Sequence, residues 1–150
     1  MPDHDATVPR GLSPAVAGRT YPPTSPYTVS AAKVDEFALV LGHDTGQEVA
    51  PPTFAIVLAA RAWESMFADA ELGLALERIV HGDQKFTFTR PLRVGDEVTA
   101  TLTIDRVLQR AGTDMITSSV AITTTNGEPV GTATATFVHT PPPNLEGVDQ

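Results

Sequence analysis

Two periodicities divide this chain. Between residues 30 and 68 apolar side chains recur at helical spacing, and from residue 79 onward they alternate with polar ones. Ser30 is an N-cap residue, and Val34, Phe37, Ala38 and Leu41 follow at i, i+3, i+4 and i+7. This predicts an amphipathic helix after a short extended piece at Tyr27-Thr28-Val29, ended by Gly42. A second helix is expected from Pro52 or Thr53 to about Ala68, since proline is tolerated in a first helical turn. Its apolar residues, Phe54, Ile56, Val57, Leu58, Ala59, Ala60, Ala62, Trp63, Met66 and Phe67, cover nearly the whole circumference, which predicts a helix buried in a core. Four strands follow in a meander. Phe86 and Phe88 share one face, as do Val98, Ala100, Leu102 and Ile104, then Ile116, Val120 and Ile122, then Gly131, Ala133, Ala135 and Phe137. Asn126-Gly127 signals a two-residue type I′ hairpin, and residues 110–114 a looser connection. The class is α+β: an antiparallel sheet facing one long helix. Such a sheet leaves an edge to pair, so an assembly of two domains is expected.

Composition narrows the picture. A chain of 150 residues fits one domain, here residues 15–140, with flexible tails at 1–14 and 141–150 where Pro141-Pro142-Pro143 stops regular structure. The absence of Cys removes disulfides and thiol chemistry. A net charge of −8 argues against nucleic acid, whose binding needs a concentrated basic surface. The only local basic group is Lys85, Arg90 and Arg93, which reads as a solvated strand edge. The first ten residues lack the pattern of a signal peptide and no apolar run has membrane length, so a cytoplasmic protein is expected. P-loop, G-x-G-x-x-G, H-E-x-x-H and G-x-S-x-G motifs are missing, and no metal site or redox cofactor is implied.

The stretch Val80-His81-Gly82-Asp83-Gln84, followed by Arg90-Pro91-Leu92-Arg93-Val94-Gly95-Asp96, resembles the H-G-[DE]-Q and R-P-L-x-x-G-D segments of the MaoC-like hot-dog dehydratases and hydratases. Gly18-Arg19-Thr20-Tyr21-Pro22-Pro23 resembles the family's entry strand, and Ala50-Pro51-Pro52-Thr53-Phe54 the lead-in to its central helix. The resemblance implies a hot-dog fold, an antiparallel sheet wrapped around a long central helix. It also implies a subunit of an (R)-specific 3-hydroxyacyl-thioester dehydratase or enoyl-thioester hydratase in fatty-acid metabolism. The substrate would ride on coenzyme A or acyl carrier protein, whose phosphates the resemblance would place near Lys85, Arg90 and Arg93.

Such chemistry needs a group to move the C2 proton, a group for the C3 hydroxyl and a donor to the thioester oxygen. Catalytic members of the resembled family supply the first two from a D-x-N-P-x-H loop before the central helix. In the corresponding residues here, 41–50, no Asp is followed five positions later by His; the adjacent His43 and Asp44 are the acid-base candidates, which otherwise read as solvated loop. Prolines stand where a glycine amide would serve as oxyanion donor. The H-G-[DE]-Q cluster belongs, in the resembled proteins, to the half that binds the acyl chain or supports its neighbour. His81, Asp83 and Gln84 are accordingly candidates for interface or substrate contacts, with a His81/Asp83 acid-base pair as the sharper alternative, and Gly82 permits a bulge or a close backbone approach. Thr53, Phe54 and Trp63 are the further substrate-binding candidates, Trp63 reading first as core. The expectation is a non-catalytic, substrate-binding subunit, a homodimer or a heterodimer with a D-x-N-P-x-H hot-dog protein. Two alternatives stay open: a self-sufficient hydratase or a thioesterase using Glu64, and a non-enzymatic acyl-binding or dimerisation module.

Overall fold

The computed structural model describes residues 11–143. Strand β1 (Tyr27–Thr28) leads into helix α1 (Ala31–Val40). A 3-10 turn at Pro52–Phe54 then opens onto helix α2 (Ala55–Phe67). Strands β2 (Ile79–Phe88), β3 (Glu97–Arg110), β4 (Thr113–Thr124) and β5 (Pro129–His139) complete the chain. All pairings are antiparallel, in the order β1-β3-β4-β5-β2. The sheet curls around α2, the hot-dog arrangement expected from the resemblance. Only β3, β4 and β5 form a meander; β2 crosses to the far side and pairs with β5, not with β3. The expected four-strand meander is corrected here because residues 89–96 bridge the sheet instead of forming a hairpin.

Both ends of α1 follow the sequence. The Ser30 hydroxyl accepts the Lys33 N–H at 3.2 Å. At the other end Gly42 takes φ 73° while its N–H reaches Leu39 O and the His43 N–H reaches Ala38 O, a Schellman closure. Val34 and Ala38 are buried, but Leu41 joins Leu39 and Val40 at the surface. Helix α2 presents Ala55, Leu58, Ala59, Ala62, Trp63 and Met66 to the sheet. Its opposite side, Ala60, Arg61, Glu64 and Ser65, is exposed, so the helix is one-sided rather than buried all round. Arg61, Glu64 and Ser65 at i, i+3 and i+4 set that solvent face.

The strand faces match the alternation. Val98, Ala100, Leu102, Ile104, Ile116, Val120, Ile122, Ala133, Ala135 and Phe137 are all buried. The two hairpins exchange the expected geometries. Arg110 pairs directly with Thr113 across Ala111 and Gly112, both at positive φ (51° and 76°), the signature of type I′. The Asn126-Gly127 connection is instead a three-residue loop. Gly127 N–H bonds Thr124 O, Thr124 N–H bonds Glu128 O, and only Gly127 has positive φ. Strand register, not the dipeptide, fixed the loop length. The first expected tail is part of the body at its end: Leu12 is buried and hydrogen-bonded to Asp114. The rest of that tail, 1–10, and residues 144–150 of the second lie outside the described residues.

Candidate functional site

The H-G-D-Q cluster lies on β2, the strand at the sheet edge. His81 pairs with Phe137 and Asp83 with Thr136, so Gly82 is the extra residue of a bulge. The bulge resets the alternation. Gln84, opposite buried Ala135, comes to the same inner face as His81, while Asp83 goes to the outer face with Lys85. An acid-base pair of His81 with Asp83 is therefore split across the sheet, and His81 meets Gln84 instead, Nε2 to Oε1 at 3.1 Å. The Gln84 amide nitrogen donates to Lys85 O, which leaves Oε1 as the acceptor and puts the imidazole proton on Nε2. An added Cβ at Gly82 would meet nothing nearer than 3.6 Å, so no close backbone approach is made at this bulged residue.

Aromatic rings fix the imidazole. Trp63 meets it edge-on at 5.1 Å between centroids and Phe137 lies 5.0 Å away, while Trp63 and Phe137 meet edge-to-face at 5.1 Å. The Trp63 indole N–H is buried without a hydrogen-bond partner. Phe54 is buried in the core against the edge of Phe37, Trp63 is core-packed, and Thr53 is exposed.

At the start of α2 an apolar hollow of about 300 Å³ is lined by residues 49–52 and 88–92. Pro51 and Pro52 have no N–H, and the Phe54 N–H is spent on Pro51 O at 2.9 Å, so this helix start offers few donors to an anion. His43 and Asp44 stand in a separate exposed hollow with Gly42 and Gln47, on a loop held by Gly46 N–H to Asp35 Oδ1 at 2.8 Å. The structure does not bring them to His81. Glu64 is exposed on the outer side of α2. Among the described residues no group of three or more His, Asp or Glu side chains is placed to hold a metal ion.

The other motif residues are clamps. Arg90 holds Asp96 through two bonds of 2.9 and 3.1 Å and reaches Glu128 at 2.8 Å, while Asp96 also accepts the Arg93 N–H. Burial opposes ionisation of Asp96, but these hydrogen bonds outweigh it and hold its carboxyl below the usual carboxylate range. Arg90 is thus committed to the turn rather than free for phosphate. Tyr21 and Arg19 both donate to Asp69, just beyond α2, at 2.7 and 2.8 Å. Burial first, and then the bond to Asp69, pushes the Tyr21 hydroxyl up to about 12. Sequence reasoning missed a second polar group altogether, the buried pair Asp114 and His139, whose strands showed only alternation.

Residues 15–133 match the model of the "FAS1-like, dehydratase domain region". The chain belongs to this family. A UPF0336 protein of Cutibacterium acnes is 50% identical over 130 residues, covering 83% of this chain and 92% of the relative. Among solved structures, a chain of the HadBC (3R-hydroxyacyl-ACP dehydratase) complex from Mycobacterium tuberculosis superimposes with TM-score 0.71 and 27% identity, over 82% of this chain and 96% of that one. A MaoC-like dehydratase superimposes with TM-score 0.70 and 26% identity, over 83% of this chain and 42% of its own. The MaoC-like hot-dog resemblance read from the motifs is therefore shown, and the chain is a member of the hot-dog dehydratase and hydratase group. Within that family's fold, the H-G-D-Q motif contributes an imidazole pinned by Gln84, Trp63 and Phe137, and the R-P-L-x-x-G-D motif a turn. No helix among the described residues is long and apolar enough to cross a membrane.

Proposed function

We propose that this chain is the substrate-binding, non-catalytic subunit of an (R)-specific 3-hydroxyacyl-thioester dehydratase or enoyl-thioester hydratase, completed by a hot-dog partner that carries the D-x-N-P-x-H loop. The observation that carries this reading is His81. Among the described residues its only side-chain hydrogen bond goes to an amide, its neighbouring carboxylate is on the other face of the sheet, and the remaining acid-base candidates, His43 and Asp44, sit elsewhere. A pair that shares proton transfer at C2 and C3 is not assembled within the described residues. The prolines at the start of α2 support the same reading, since they withhold amides from an oxyanion. The likeness to a chain of the HadBC complex supports a dehydratase assembly of two kinds of subunit.

In this proposal the apolar hollow at the start of α2 and the His81, Gln84 and Trp63 surface near the free edge of β2 receive the acyl thioester, on coenzyme A or acyl carrier protein, and no metal takes part. The partner pairs with the unpaired side of β2. The test is hydration of crotonyl-coenzyme A by the purified chain, alone and mixed with a D-x-N-P-x-H hot-dog protein. The expected result is little turnover alone and a gain of at least 10²-fold in the mixture, the lower range for an acid-base group. Robust turnover by the chain alone would overturn it, and loss of that turnover in His81→Ala or His43→Ala would name the residue responsible.

A further inference from the structure

The outer face of the sheet is mostly threonine and serine, with one exception. Leu108 on β3 pairs with Met115 on β4, Met115 with Val138 on β5, and Val138 with Val80 on β2. These four side chains form one straight apolar row across four strands. Leu108 is 42% exposed, Met115 37% and Val80 65%, so the row is open to solvent on a face the core does not use.

The next two rows on one side of it carry charge only at their ends. In the first, Arg106 on β3 is joined through Thr117 and Thr136 to Asp83 on β2. In the second, Thr103 leads through Ser119 and Thr134 to Lys85, and Asp105, bulged out of β3, takes the Ser119 hydroxyl at 3.0 Å. All four charged residues are exposed, and among the described residues none has an ion-pair partner. Opposite charges thus sit at opposite ends of each row, three strand spacings or about 14 Å apart.

A two-fold axis parallel to the strands, between two such faces, turns each row end for end onto its own copy. Apolar row then meets apolar row, Val80 against Leu108 and Val138 against Met115. Asp83 meets the Arg106 of the other copy, and Lys85 meets its Asp105, each contact occurring twice as a two-fold interface requires. We propose that two copies of this chain associate face to face through this row. Beyond the row, Arg110 and Arg78 would bring like charges together, so the contact is offset toward the Asp83 and Arg106 side. The surface uses neither the free edge of β2 nor the hollow at α2, so it stands independently of the proposed function.

The test is sedimentation velocity of the full chain over a concentration series, with Asp83→Arg, Arg106→Asp and the double exchange, folding being checked by circular dichroism. Each single exchange is expected to weaken self-association at least tenfold, and the double exchange to restore it. Within one chain the two residues lie farther apart than a Debye length of about 8 Å, so rescue reports contact between copies. Val80→Lys, which breaks the apolar row without touching the pairs, is expected to halve the assembly as well and serves if a charge variant does not fold. Wild type that stays at 15.9 kDa at every concentration, singles or Val80→Lys that associate like wild type, or a double exchange that fails to recover would each overturn the proposal.

Discussion

The imidazole of His139 on β5 donates from Nδ1 to the carboxylate of Asp114 on β4 at 3.3 Å, with both side chains sealed in the interior. The His139 Nε2 accepts the Ala75 N–H at 3.1 Å, which assigns the proton to Nδ1. Asp114 Oδ1 takes the Leu12 N–H at 3.1 Å and the Gln109 amide at 3.2 Å. The pair therefore ties the incoming chain and the segment before β2 to one end of strands β4 and β5. With both imidazole nitrogens engaged, it is a fastening rather than a catalytic dyad.

Removing one member leaves the other's polar atoms buried and unpaired. With the imidazole neutral, Asp114→Ala should therefore cost about 1 to 3 kcal/mol, the range for leaving a buried polar group without its partner. Urea unfolding is the measurement, and a loss below about 1 kcal/mol would show that the cluster is not under strain to stay paired.

Two glycines on neighbouring strands should behave oppositely. A Cβ on Gly131 would lie 2.6 Å from the Thr87 carbonyl oxygen and 3.0 Å from Phe88 Cδ1, so Gly131→Ala forces β5 and β2 apart and should cost about 1 to 3 kcal/mol. Gly82→Ala meets only ordinary contacts and should fall within about 1 kcal/mol of wild type. Thermal unfolding of the two variants side by side checks the order, and equal losses would contradict it.

Ala111 is the one described non-glycine residue at positive φ. An L-residue with a Cβ is disfavoured there by about 1 to 2 kcal/mol, a cost absent in glycine and reduced in asparagine. Ala111→Gly and Ala111→Asn are each expected to stabilise the fold, by about 1 kcal/mol for the first. A lower urea midpoint in both would refute the type I′ assignment.

The Arg90 and Asp96 clamp sets an acid response. The folded-state carboxyl of Asp96 is depressed, so its contribution is present above the ordinary aspartate value of about 3.9 and is lost as pH falls through the lower folded value. Asp69 is depressed as well, by the Tyr21 hydroxyl and then the Arg19 guanidinium, and acts in the same direction. Asp96→Asn should be less stable than wild type at pH 7 and show a shallower loss of stability below about pH 4. Unchanged slopes in urea midpoint against pH would exclude the clamp as their source.

The sequence by itself determined what local chemistry dictates. Ser30 and Gly42 bounded α1 because capping is settled within one turn, and the alternation of β3, β4 and β5 named the buried face because side-chain period is intrinsic to a strand. The motif residues of the family were legible in order. Only the tertiary structure decided which strands adjoin, since β2 pairs with β5 over about fifty residues and no local signal records a partner that distant. Register then decided the rest. It shortened the turn at Ala111, lengthened the one at Asn126, and through a single bulged residue turned His81 toward Gln84 and away from Asp83. Asp114 and His139 were invisible for the same reason. Their meaning comes from burial opposite one another, and burial is a property of the assembled sheet and not of either residue's neighbours in the chain.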